Sequence, residues 1–160
     1  MKYRKQYLTI LQEELKKAMG CTEPIAISYL SSTLKKLLDE DVVKVDVYVS
    51  GNILKNVKSV VVPNTNGLRG IGAAVAIGVV AGRPELKLEC LSKVNTDDII
   101  ESKKLLDKKI INVYNKDSNF IFDISITLTG INNIVTGRIV DNHTNIVYLE
   151  KNREVILELP

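Results

Sequence analysis

The chain has no tryptophan, one histidine, two cysteines and only 5% aromatic residues among its 160 amino acids. Each scarcity excludes something. Two cysteines cannot staple a disulfide scaffold, and so low a thiol content reads as a reduced, cytoplasmic protein. One histidine and two distant cysteines cannot complete an ordinary four-ligand zinc site. No basic face alternates with aromatic residues, which leaves nucleic-acid binding little support. No apolar run approaches the roughly 20 residues that span a bilayer, and the amino terminus is amphipathic rather than signal-like.

What is present suits one soluble domain. The composition is 45% hydrophobic and 26% charged, and a chain of this length buries roughly 70% of its unfolded surface. The net charge of +3 comes from 22 basic and 19 acidic side chains. Its local excess lies in residues 1–17, where Lys2, Arg4, Lys5, Lys16 and Lys17 face only Glu13 and Glu14.

Periodicity divides the chain into elements. Tyr3, Tyr7, Leu8, Leu11, Leu15 and Ala18 form one helical stripe that Gly20 stops. Thr22 is placed to cap a second helix, Pro24 fits its first turn, and Ile25, Tyr29, Leu30, Leu34, Leu37 and Leu38 supply a buried face. The pair predicts an antiparallel helical hairpin with Gly20-Cys21-Thr22 at its tip. Val43, Val45, Val47 and Val49 then alternate with polar residues as in a strand. Ser50 to Asn56 reads as a polar loop, and Ser59 to Val62 as a short apolar run closed by Pro63. A loop through Asn64, Thr65 and Gly67 passes into a small-residue helix over Ala73 to Ala81, and Glu85 to Leu91 alternates as a strand would. Thr96-Asp97-Asp98 opens a helix whose far end carries Lys103, Lys104, Lys108 and Lys109, both complementing the macrodipole. A meander follows, with strands expected at 110–114, 120–128, 133–140, 144–149 and 154–159, separated by turn residues. The class is α+β, a helical hairpin and a small-residue helix packed with a mainly antiparallel sheet.

Several residues invite chemistry. Cys21 lies just before a helix, where unpaired N–H groups and the dipole stabilise a thiolate; a nucleophile, a redox sensor, a metal ligand and a buried cap residue all suit that position. Ser50, Asn52, Lys55 and Asn56 gather amides that orient carboxylates and amines, with a lysine that could act as a base, or they simply form a turn. Gly67, Gly70 and Gly72 precede a helix and either let an anion approach its N–H groups or serve only a turn and tight helix packing; the spacing is neither dinucleotide nor P-loop, and a small carboxylate is the better-sized guest. His143 falls in a hairpin turn and reads as solvated. Cys90 falls in a strand pattern and reads as structural.

These segments, in this order, resemble a known family. Met19-Gly20-Cys21-Thr22-Glu23-Pro24-Ile25-Ala26-Ile27, Ser50-Gly51-Asn52-Ile53-Leu54-Lys55-Asn56, Val62-Pro63-Asn64-Thr65, the small-residue helix and His143-Thr144-Asn145-Ile146 are similar to the N-terminal part of L-cysteine desulfidases, relatives of the iron–sulfur L-serine dehydratases. The resemblance implies a cytoplasmic, pyridoxal-phosphate-independent lyase that converts L-cysteine to pyruvate, ammonia and sulfide on a [4Fe–4S] cluster held by three cysteines. It makes Cys21 one ligand, and an open iron would polarise the leaving sulfur while a base takes the α-proton. By position it gathers Asn52, Asn56, Asn64 and Thr65 around the substrate, with Lys55 as the base. Complete members are more than twice as long, and their other two cluster cysteines lie in a helical C-terminal half without a counterpart here. Cys90 matches neither. The chain is therefore expected to be catalytically incomplete alone, either truncated or one chain of a split enzyme, its small-residue helix and its end after a strand pattern at Pro160 forming docking surfaces. The alternatives are an L-serine dehydratase subunit, a non-catalytic module that binds an amino acid or a partner chain, and a thiol redox sensor.

Overall fold

The computed structural model describes residues 23–160. The first helix of the expected hairpin and its tip, with Cys21, lie outside the described residues. The second helix is present as α1, residues 23–38. Ile27, Leu30, Leu34 and Leu38 are completely buried, at the three- and four-residue steps of one helical face. Each such side chain contributes about 1.5–3 kcal/mol on leaving water.

The elements that follow are β1 (Val42–Ser50), α2 (Gly51–Val57), α3 (Gly70–Ala81), a 3₁₀ segment (Pro84–Glu89), α4 (Thr96–Asp107), β2 (Ile111–Lys116), β3 (Asp123–Gly130), β4 (Ile134–Val140), β5 (Ile146–Lys151) and β6 (Glu154–Glu158). The strands make one sheet in the order β2-β1-β3-β4-β5-β6. Only β1 and β2 run parallel; every other pairing is antiparallel. The fold is thus α+β, as the patterning predicts. The meander, however, begins at β3, because β2 returns after three helices to the far side of β1. Such a long crossover is what a parallel pair requires.

Register puts one apolar layer under the helices. Val47 faces Ile126, which faces Gly137, with Val45 opposite Leu128 and Val49 opposite Ile124. The opposite face carries Asp46, Thr127 and Thr136, and Tyr48 stacks on Tyr114 with centroids 4.9 Å apart. Among the described residues no helix is long and apolar enough to cross a membrane.

Two glycines let α1 sink into this arrangement. A Cβ on Gly137 would stand 2.9 Å from Leu30 and 3.1 Å from Leu34, so the bare strand is the groove that receives the helix. On the other side a Cβ on Gly78 would lie 2.5 Å from the Ser28 carbonyl oxygen. The helices α1 and α3 are close enough for the Ser28 hydroxyl to donate to the Ala74 carbonyl at 2.6 Å. Helix α3 is apolar all round, and it is buried from Gly70 to Val79 save Gly72, as such helices must be.

Two sequence expectations change. Ser50 to Asn56 is no loop: Gly51–Val57 is helical, anchored by buried Ile53 and Val57 one turn apart. Glu85 to Leu91 is not a strand. It has no pairing partner; Pro84 starts a 3₁₀ turn, Lys87 has φ 51°, and Leu86 and Leu88 stay exposed. The Ser59 to Val62 run forms only an isolated bridge from Val61 to Arg69. Helix α4 begins as expected, but its cap is Asn95, which exchanges hydrogen bonds with Asp98 in a capping box.

Because the atoms met by a Cβ at Gly78 are backbone, nothing can rotate aside. Gly78→Ala is expected to destabilise the chain by about 2 kcal/mol, read as a lower urea midpoint with an unchanged slope. An unaltered midpoint would show that α1 and α3 do not approach this closely.

Candidate functional site

The sequence places Ser50 at the end of β1, and parallel pairing sets it beside Lys116 at the end of β2. Chain leaves the sheet here in two directions, into α2 and into the loop 117–122. The Ser50 hydroxyl donates to the Ile121 carbonyl at 2.7 Å and accepts from the Asp123 amide at 3.3 Å. That pins the loop beside the first turn of α2.

Beneath the loop lies a buried carboxylate. Asp123 is fully buried and accepts from Arg138 Nε at 3.0 Å and Nη2 at 2.7 Å. It also accepts from Lys116 Nζ at 3.2 Å and the Ser118 hydroxyl at 2.5 Å. Burial alone pushes its pKa up, but the bonds from Arg138 and Ser118 and the charge of Lys116 together hold it below the usual carboxylate range. Arg138 also lies 5.7 Å from the Phe120 ring centroid. None of this is evident in sequence, because Asp123 and Arg138 become diagonal neighbours only through the β3–β4 register.

Two clefts flank the loop and share Asn52, Asn119, Phe120 and Ile121. The smaller, about 370 Å³, includes Ser50, Asn115 and Lys116. The larger, about 510 Å³, adds Glu23 at the start of α1, Phe122, and Asp141 and His143 from the β4–β5 turn. Its size falls in the range of small-molecule sites. Burial raises the Glu23 pKa.

His143 is not the solvated turn residue expected. It is only 9% exposed, because its ring packs edge-on to Phe122 with centroids 4.8 Å apart. Its Nε2 is buried with no hydrogen-bond partner among the described residues. Burial lowers its pKa, which keeps the ring neutral near neutral pH.

The other site residues expected from sequence divide into three places. Asn52 lines both clefts. Lys55 and Asn56 are exposed on α2, one turn further along Asn52's side of the helix, and line neither cleft. Asn64 and Thr65 precede α3 and hold the fold together: Asn64 Nδ2 donates to the Leu91 carbonyl at 2.9 Å, and buried Thr65 donates to the Val62 carbonyl at 2.7 Å. The signal that reading by segment missed is Glu23, inside the Gly-Cys-Thr-Glu-Pro motif itself.

The described residues do not by themselves fit an iron–sulfur cluster. They contain no group of three histidine, cysteine or acidic side chains able to hold a metal. Cys90 is 1% exposed, and burial pushes its thiol up to about 12, so it is protonated and walled in. That agrees with its structural reading. Cys21 lies outside the described residues.

Two perturbations check this electrostatic picture. Asp123→Asn leaves Arg138 and Lys116 without their countercharge, and should cost about 3 kcal/mol in urea unfolding; a loss below 1 kcal/mol would mean the network is solvated. For His143, the unfolded ring protonates near 6.5, whereas the folded ring resists the proton. Stability is therefore complete above that value and falls as pH drops from it through the lowered folded pKa. His143→Gln should flatten this part of the stability–pH profile, and a profile identical to wild type would remove the buried neutral ring.

No family model matches the chain, and no solved structure matches it. It is similar to several curated proteins named UPF0597 proteins, a name that states no activity. One from Desulfitobacterium hafniense is 49% identical over 155 residues, covering 97% of this chain and 36% of the relative. One from Finegoldia magna is 46% identical over 153 residues, covering 95% and 37%. One from Vibrio parahaemolyticus is 36% identical over 156 residues, covering 97% and 36%. The chain thus spans little more than a third of the length of the curated relatives it matches.

Proposed function

We propose that this chain is the amino-terminal part of a cytoplasmic, pyridoxal-phosphate-independent, iron–sulfur-dependent lyase that cleaves L-cysteine to pyruvate, ammonia and sulfide. The observation that carries this reading is the position of the larger cleft. Glu23, two residues after Cys21 in the Gly-Cys-Thr-Glu-Pro motif, lines it together with Asn52 from the second motif and His143 from the last. Three segments that carry the resemblance, separated along the chain, supply one cavity.

In this reading Cys21 is one cluster ligand, and the other two belong to protein beyond this chain. The length of the relatives, of which this chain covers 36% in the first case, is consistent with that. No step of the reaction is derived through the cluster, since the described residues do not hold it. What the larger cleft contributes is recognition: amide groups at Asn52 and Asn119 and carboxylates at Glu23 and Asp141 suit the two charged ends of an amino acid. Net elimination removes the α-proton and hydrosulfide, together one hydrogen sulfide, and the resulting aminoacrylate tautomerises and hydrolyses to pyruvate and ammonia. Lys55 stands as the proposed base and Asn56 as a further contact, both one turn beyond Asn52 on α2 and outside the cleft as described, whereas Asn64 and Thr65 support the fold rather than the substrate. L-Serine is the competing substrate, since loss of water follows the same path.

The test is anaerobic reconstitution of this chain with iron, sulfide and the remaining two thirds of a UPF0597 relative. A brown cluster absorbance with sulfide and pyruvate release from L-cysteine is expected, both lost in Cys21→Ala. A colourless, inactive mixture would sink the lyase reading, and pyruvate from L-serine alone would make the protein a dehydratase. In the active mixture Lys55→Met should lower turnover roughly a hundredfold with little change in substrate affinity; unchanged turnover would remove Lys55 as the base.

A further inference from the structure

The sheet ends in two edge strands that are built differently. Strand β6 pairs only with β5, begins and ends with Glu154 and Glu158, and has a register shift beside Leu149 and Glu150. Two copies of β6 laid antiparallel about Ile156 would set each Glu154 against the other copy's Glu158, and like charges directly opposite repel. Strand β2 pairs only with β1 and has none of these guards. Its ladder runs without a shift from Val45–Ile111 to Ser50–Lys116. Residues 110–115 carry no charge and no proline, and Val113 and Tyr114 are 37% and 44% exposed. Lys116 is already engaged by Asp123 and Ser125.

The pairing with β1 decides which backbone groups this edge presents. The Val45 amide donates to the Ile110 carbonyl at 2.9 Å, and Val45 stands opposite Ile111. In a parallel pair alternate residues turn their N–H and C=O toward the neighbouring strand. Asn112 and Tyr114 therefore bond to β1, whereas Ile111, Val113 and Asn115 direct theirs away from the sheet, where no described strand receives them. Such a row is a template for a further strand.

We propose that the β2 edge pairs antiparallel with β2 of a second copy of this chain, about a two-fold axis at Val113. Val113 then faces its own counterpart, while Ile111 and Asn115 face each other, so every outward residue exchanges both of its backbone bonds. A slip of two residues in either direction leaves Ile111 or Asn115 with no partner in β2. The same register matches charge. Lys109, just before the strand, comes opposite Asp117, just after it in the other copy, on both sides of the axis. Both residues are exposed, and neither belongs to an ion pair among the described residues. The edge is thus complementary to itself in hydrogen bonding and in charge, which selects another copy as its partner. A ladder of six residues buries less than the roughly 1,200 Å² of a standard interface, so the dimer is a weak one. None of this depends on the lyase reading.

Sedimentation velocity of the chain should show monomer giving way to dimer between about 10 μM and about 1 mM. Over that range, amide hydrogen exchange followed by NMR should slow roughly tenfold at Ile111, Val113 and Asn115 and stay constant at Asn112 and Tyr114. Asp117→Lys should weaken the dimer roughly tenfold, since two exposed pairs turn from attraction to repulsion. Adding Lys109→Asp to that variant should restore it; Lys109 has φ 55°, a conformation that aspartate accepts. A chain that stays monomeric throughout, concentration-dependent protection at other amides only, or a double variant that dimerises no better than Asp117→Lys alone overturns the proposal. Full protection of the three outward amides in a monomer would mean that another part of the chain covers the edge, and overturns it equally.

Discussion

The structure depends on how deeply α1 is set between the sheet and α3. Strand β4 gives up a side chain at Gly137 to receive Leu30 and Leu34, and α3 gives one up at Gly78 to admit the Ser28 backbone. The Ser28 hydroxyl then bonds the Ala74 carbonyl, so the helix is fixed on two sides at once. Interiors are packed tightly enough that such contacts allow one axial position rather than a range. The first turn of α1 consequently stands at one place over the β4–β5 turn, and Glu23 meets Asp141 and His143 across a single cleft. Packing far from the cavity determines its shape.

Asp123 plays the corresponding part for the opposite wall. The loop 117–122 has no regular structure along most of its length, yet it borders both clefts. A carboxylate buried beneath it draws in the end of β2 through Lys116, the loop through Ser118 and the middle of β4 through Arg138. Arg138 in turn covers the Phe120 ring. A buried charge stabilises a fold only when its partners are complete, and it then specifies one arrangement of the groups around it. Ser50 adds the tie to β1. Polar bonds supplement the loop's partial apolar packing, since Phe122 meets the core but Phe120 is 39% and Ile121 76% exposed.

Much of this was legible in the sequence. Strong periods spanning many residues read correctly: the Leu30-Leu34-Leu38 stripe, the Val45-Val47-Val49 alternation and the Ile124-Ile126-Leu128 strand all occupy the faces expected. Short segments failed, because a few residues fit two periods equally. Leu86 and Leu88 alternate as in a strand but lie in a 3₁₀ turn, since Pro84 starts a turn and Lys87 takes a positive φ. Ile53 and Val57 are one helical turn apart, a signal hidden beneath asparagine and glycine. The site was half visible. Asn52 could be found by its motif, but the burial of His143 follows from Phe122 and that of Asp123 from β4, contacts made only by register and tertiary packing.

The chemistry available in the described residues is that of recognition. Their one thiol is protonated and buried, their one histidine is neutral, and their most strongly bound carboxylate, Asp123, is already paired with two cations. None of these groups is a strong nucleophile or electrophile. The larger cleft sets two carboxylates and two amides opposite two phenylalanine rings. Breaking a carbon–sulfur bond requires stabilisation of the departing sulfur, and in the proposed lyase that falls to Cys21 and the ligands beyond this chain. Recognition and bond cleavage are then carried by separate portions of the protein, and α1 connects them, since its first turn both follows Cys21 in sequence and lines the cleft. If the proposed lyase is right, a shift of that helix would misalign substrate and cluster together, and the close contacts at Gly78 and Gly137 would then matter to catalysis as well as to packing.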